Sequence, residues 1–229
     1  MISSQLQPDI RTSLVIATFM SLVPTLFGVI IWRTRRTCRG FGRWTLANLL
    51  VTICLVALSL RGIAPDWISI VLGNAAALGA AVLFLQGIFR SRGLKIYWWP
   101  ECLAAALGIC AVIYFRYFTN NLNTRTVVMS AVLGTFGLFA GFTLLRREPS
   151  GRRLSMVLTG IVFILAAVVN FVRMYFYTVI PANDFLAPSA ANAAFFALAG
   201  LGVCSWSFGF LLMTDERMAL ELIVAPPRN

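Results

Sequence analysis

Charge is costly in hydrocarbon, so an arginine inside a long apolar run is the first place to look for chemistry. Arg61, Arg116 and Arg173 each fall toward one end of such a run. Asn170 lies three residues before Arg173 and Tyr177 four after it. That spacing sets all three on one face of a helix. Asn74 and Asn192 fall at comparable depth in two further runs. A guanidinium presents a fixed fork of donors that matches carboxylate or phosphate, and a carboxamide carries donor and acceptor together. If the helices converge, Arg61, Asn74, Arg116, Asn170, Arg173, Tyr177 and Asn192 line a pocket for a small or lipidic ligand, anionic in character. The alternative is that each arginine snorkels to lipid phosphate and each asparagine ties two helices together.

Other chemistry is poorly supplied. The chain has no histidine, which removes Ser-His and Cys-His pairs and the commonest metal and haem ligand. No glycine-rich phosphate loop followed by lysine occurs, and the acidic residues do not cluster. No enzyme, cofactor or metal site is expected. Glu101 stands about one turn inside its run, and the middle of every run lacks Asp and Glu, so a proton relay has no obvious carrier. Asn48, Thr52 and Gln86 read as interhelical hydrogen-bonding groups, and Trp206 as a filler of the bundle.

The elements that must position these residues are set by composition. Of 229 residues, 59% are hydrophobic and 12% charged, with mean hydropathy +0.85, far from the balance of a soluble domain. Apolar runs near 12–32, 43–63, 67–89, 97–118, 125–145, 153–178 and 190–213 are each long enough to span a bilayer. The fold class is therefore an all-α integral membrane bundle of seven transmembrane helices over 1–213, followed by a short exit segment over 214–229. Connectors one, three and five carry Arg33, Arg35, Arg36, Arg39 and Arg43, then Arg90, Arg92 and Lys95, then Arg146, Arg147, Arg152 and Arg153. The connectors between them hold neither lysine nor arginine. Basic loops stay cytoplasmic, which puts the N-terminus outside and the C-terminus in the cytoplasm. The same distribution assigns the net charge of +11 to topology and not to nucleic acid. The N-terminal stretch carries Asp9 and Arg11 with no basic leader before its apolar run, so no cleavable signal is expected. Four of the five cysteines lie in apolar runs, and no disulfide framework is legible. Small residues around Gly73–Ala81, and Gly137 with Gly141, have the spacing that lets helices approach closely.

The last run passes from Leu211-Leu212-Met213 into Thr214-Asp215-Glu216-Arg217-Met218-Ala219-Leu220-Glu221-Leu222 without Gly or Pro, so the helix should continue into the cytoplasm. Met218 and Leu222 share a face, and Arg217 with Glu221 form an (i, i+4) pair. A frayed solvated tail is the competing reading. Pro226 and Pro227 end the segment. This exit, with Leu60-Arg61-Gly62-Ile63-Ala64-Pro65-Asp66-Trp67-Ile68-Ser69 at the second outer turn, resembles the heptahelical N-terminal input regions of bacterial signalling proteins. Those carrying a diguanylate cyclase (GGDEF) output domain are the nearest in plan. The resemblance implies an inner-membrane sensor that transmits through helix seven, using Asp215, Glu216, Arg217, Met218, Glu221 and Leu222 at its output. It also implies a homodimer and a cytoplasmic signalling output domain or protein. Seven residues follow Leu222 and no cyclase or kinase motif occurs, so the output is expected elsewhere, on a longer protein or a partner.

Two other seven-helix classes compete. A retinal protein needs a Schiff-base lysine in its last helix, and the sole lysine is Lys95, in a connector. A small transporter or permease should show two related three-helix halves with a cavity at mid-depth, whereas a sensor pocket should be closed toward the cytoplasm.

Overall fold

In a span with no water to satisfy the backbone, an apolar run closes its own hydrogen bonds and becomes a helix. The computed structural model describes residues 10–34, 39–95, 97–146, 154–180 and 190–224, the side chains of 190, 191, 217 and 220–224 excepted. Seven helices result: α1 (Ile10–Thr34), α2 (Phe41–Ser59), α3 (Gly73–Ser91), α4 (Trp98–Tyr117), α5 (Leu122–Leu145), α6 (Leu154–Val179) and α7 (Ala190–Val224). A π-helical turn, Trp67–Leu72, leads directly into α3. All seven spans are long and apolar enough to cross a membrane, and no strand occurs among the described residues.

Most boundaries move by a residue or two from the sequence expectation, and two of the shifts bear on the polar residues. α2 ends at Ser59, short of residue 63, because the chain folds back through a tight turn: Gly62 takes φ 79°, and the Ile63 and Ala64 amides both donate to the Leu60 carbonyl. α5 starts at Leu122 because the Asn121 side chain accepts from the Thr124 amide and caps the first turn. That places Arg125 one turn inside the helix, at 6% exposure.

The helices alternate in direction. At the end where α1 begins, which we call the N-side, an Arg11 Nη2 donates to the Arg61 carbonyl at 3.2 Å. At the opposite C-side, Arg92 Nη2 donates to the Arg146 carbonyl at 3.0 Å. Neighbours follow chain order, with α7 closing the ring against α1 and α6. α4 packs outside α3 and α5, which also touch each other. Burial separates the inner helices from the buttresses: half of the α2 and α3 spans is buried, against 28% for α1 and 17% for α4.

Polar ties and glycine contacts set the spacing. Ser21 Oγ lies 2.8 Å from Thr52 Oγ1, joining α1 to α2. Asn48 Nδ2 donates to Ser207 Oγ at 3.1 Å, and its Oδ1 accepts from Trp206 Nε1 at 3.2 Å, joining α2 to α7. Gln86 Nε2 reaches the Glu101 carboxylate at 3.4 Å, joining α3 to α4. The residues read as interhelical groups thus meet partners on neighbouring helices, each worth about 0.6–2 kcal/mol in such surroundings. α5 and α6 share the most extensive contact. There a Cβ on Gly137 would stand 3.1 Å from Ala167 Cβ, and one on Gly141 only 2.9 Å from the Gly160 carbonyl oxygen.

Candidate ligand pocket

Small residues on inward faces leave space that larger ones would fill. Ala77, Ala80 and Ala81 on α3, Gly137 and Ala140 on α5, Ala166 and Ala167 on α6, and Ala199 on α7 surround a cavity of about 230 Å³. Its wall is built from α2, α3, α5, α6 and α7, with no residue from α1 or α4.

Polar groups gather at the N-side. Arg61, just beyond α2, Asn74 on α3, Arg125, Thr126 and Ser130 on α5, and Asn170 and Arg173 on α6 all line the cavity. Among the described residues no Asp or Glu belongs to the wall. Arg173 is held against aromatic faces: its Cζ lies 4.0 Å from the Phe195 ring centre, with Tyr177 at 5.5 Å and Phe196 at 5.8 Å. Such cation–π contacts fix a guanidinium without neutralising it. Asn74 Nδ2 donates to the Ile70 carbonyl at 2.6 Å, satisfying an acceptor of the π-helical turn. Ser130 Oγ and Asn170 Oδ1 are buried and have no hydrogen-bond partner, a costly state that a polar guest would relieve.

Of the seven residues expected at a pocket, the structure therefore brings Arg61, Asn74, Asn170 and Arg173 to one cavity. Tyr177 and Asn192 are buried beside it, joined by a 3.1 Å bond from the Tyr177 hydroxyl to Asn192 Oδ1, and they support the aromatic seat of Arg173. Arg116 does not reach the wall. It is ion-paired to Asp66 across the α4 boundary and bonded to Asn120 one turn on. A carboxylate fifty positions away in sequence captures it, a pairing that helical spacing alone does not show. Arg125 was not among the expected residues. The Asn121 cap three positions before Thr124 is the signal that would have found it, since it moves the helix start outward.

The C-side of the cavity is floored by aromatics. Trp206 stacks on Phe163 at 5.6 Å with planes 10° apart and meets Phe84 edge-on at 5.3 Å. Beneath them Phe210 stacks on Trp44 at 4.1 Å. Trp206, read as a filler, thus packs in the bundle and also borders the cavity.

Beyond the floor, α7 meets the start of α6. Ser155 Oγ donates to Glu216 Oε2 at 2.5 Å, and the Ser155 amide to Oε1 at 3.4 Å. A carboxylate at a helix N-terminus satisfies an orphan amide and suits the helix dipole. Asp215 is exposed and Met218 half-buried. The side chains of Arg217, Glu221 and Leu222 lie outside the described residues, although their backbone continues α7.

What the fold and pocket define is a class: an all-helical, seven-span bundle with a polar-headed internal cavity. No family model, curated protein or solved structure matches the chain.

Proposed function

We propose that the protein is a membrane receiver, which takes a small or lipidic ligand at its N-side and passes the event through α7 to a cytoplasmic signalling partner. One observation carries the reading. Phe195, Phe196, Ala199, Val203 and Trp206, about three turns of α7, form one wall of the cavity, and the same helix runs unbroken to Val224. At 1.5 Å per residue its 35 residues extend about 52 Å, well past the roughly 30 Å hydrocarbon core. An occupant that moved α7 would move the exit. The likeness to input regions of bacterial signalling proteins points the same way. A carrier draws less support, because the aromatic floor stands between the cavity and the C-side.

Spin labels at Asp215→Cys and Arg90→Cys, with Cys38, Cys102 and Cys110 replaced by serine, test this in lipid nanodiscs. Membrane-lipid or organic-acid extracts should shift the label distance by about 2 Å or more, the scale of signalling helix movements, and Arg173→Leu should abolish the shift. An unchanged distance with every extract, in a bundle of normal unfolding temperature, would reject the receiver.

Orientation is tested separately. Arg33, Arg39, Arg43, Arg90, Arg92, Lys95 and Arg146 lie toward the C-side, which supports a cytoplasmic C-terminus in a bacterial inner membrane. On intact spheroplasts an impermeant maleimide is expected to label Asn120→Cys and to spare Asp215→Cys. Labelling in the reverse order would invert the topology.

A further inference from the structure

We infer that the cavity, read as the ligand site proposed above, selects an aliphatic molecule carrying a hydroxyl group, the hydroxyl seated between Ser130 and Asn170 and the chain pointing to Trp206. A serine or threonine inside a helix commonly donates to the carbonyl four residues back. Thr126 and Thr135 of α5 do so, to Leu122 at 3.0 Å and Ala131 at 2.8 Å. Ser130 does not: its Oγ is buried without a hydrogen-bond partner, in a residue only 1% exposed. Asn170 Nδ2 donates to the Ala166 carbonyl at 2.9 Å, which fixes the orientation of the amide and leaves its buried Oδ1 without a donor. Both side chains line the cavity, and they stand at one level. Along the α5–α6 seam a Cβ on Gly141 would meet Gly160 and Ile164, and one on Gly137 would meet Phe163 and Ala167. The antiparallel pair thus advances residue for residue, and Ser130 falls within about one turn of Asn170.

A hydroxyl fits these two groups because one atom both donates and accepts. Its O–H donates to Asn170 Oδ1 while its lone pairs accept from the Ser130 hydroxyl. An ether only accepts and an alkane does neither, so each leaves a buried group unpaired. Toward the C-side the described wall is aliphatic, glycine and aromatic down to Trp206. From Asn170 to Phe163, on which Trp206 stacks, is seven residues of α6, about 10 Å. With zigzag C–C bonds of about 1.5 Å, that depth holds roughly eight carbons. In the other direction Arg125 stands five residues up α5 from Ser130, about 7.5 Å, where it meets whatever the guest carries beyond its hydroxyl.

The full chain in zwitterionic nanodiscs, titrated with ω-bromo-octanol, reads both the hydroxyl and the chain. Trp206 emission, taken as the difference between wild type and Trp206→Phe, should be quenched saturably. Octanol should relieve the quenching about tenfold better than octyl methyl ether or octane, compared at equal concentration in the bilayer. Asn170→Leu should erase the preference for octanol over the ether, a change that a merely structural asparagine would not produce. Ser130→Ala should weaken the titration several-fold, yet without alcohol its unfolding midpoint should hold or rise, because an orphan group is removed. Should Trp206→Phe or Asn170→Leu fail to assemble, the same contrasts are read between wild type and Ser130→Ala. Relief by the ether as good as by octanol, the result expected if water alone bridges the two groups, overturns the inference. So does quenching that does not saturate, or a Ser130→Ala midpoint lowered by more than about 4 °C. The label distance at Asp215→Cys, measured in parallel, separates the two claims. Octanol-selective quenching without movement keeps the ligand class and rejects the receiver. Movement driven by the ether or octane as well as by octanol rejects the ligand class and keeps the receiver.

Discussion

Leucine at position 141 is expected to drive α5 from α6 and to cost about 3 kcal/mol of stability, read as the unfolding midpoint in detergent. A Cβ there would already stand 2.6 Å from Ile164 Cγ1 and 2.9 Å from the Gly160 carbonyl oxygen. A side-chain tip can rotate away, whereas a helix carbonyl cannot. Gly160 has the reciprocal constraint, its Cβ position lying 3.2 Å from the Gly141 carbonyl oxygen. Gly202→Ala is the control: its nearest neighbour would be Trp206 at 3.5 Å, an ordinary contact, so its midpoint should stay within about 0.5 kcal/mol of wild type. A G141L midpoint equal to that of G202A would mean that backbone approach does not set the α5–α6 interface.

Arg125→Met should separate stability from response in the opposite sense. The Arg125 guanidinium is buried in a wall that has no acid among the described residues, and Asp66 at that end is paired with Arg116. Methionine keeps an unbranched chain and removes the buried charge, so the unfolding midpoint should hold or rise. Anion affinity should fall by about 1.5–3 kcal/mol, roughly tenfold to a hundredfold, since one charged hydrogen-bonding group is lost. A midpoint lowered by more than about 2 kcal/mol would instead make Arg125 a structural residue of α5.

The seven spans were legible because hydropathy acts over whole segments, and a shift of two or three residues at a boundary does not erase a span. The cavity was legible in part, through polar residues that stand out against apolar neighbours. Arg61, Asn74, Asn170 and Arg173 could be picked out in this way. Arg125 could not, because at the predicted edge of its span an arginine looks like an ordinary interfacial anchor. Arg116 looked equivalent to Arg173 in sequence. What separates them is tertiary: one meets Asp66 from the turn before the third span, the other the rings of α7. The π-helical turn at Trp67–Leu72 and the hold of Glu216 on Ser155 likewise depend on packing between segments, which local spacing does not encode.

That hold yokes two helices at the C-side. Glu216 grips the first turn of α6, twenty residues, or about 30 Å along α7, from Phe196 in the cavity wall. There α7 cannot slide along its axis without drawing the start of α6 with it or giving up both Ser155 contacts. That end of the bundle is a two-helix unit, in which a shift of either helix is a shift of both.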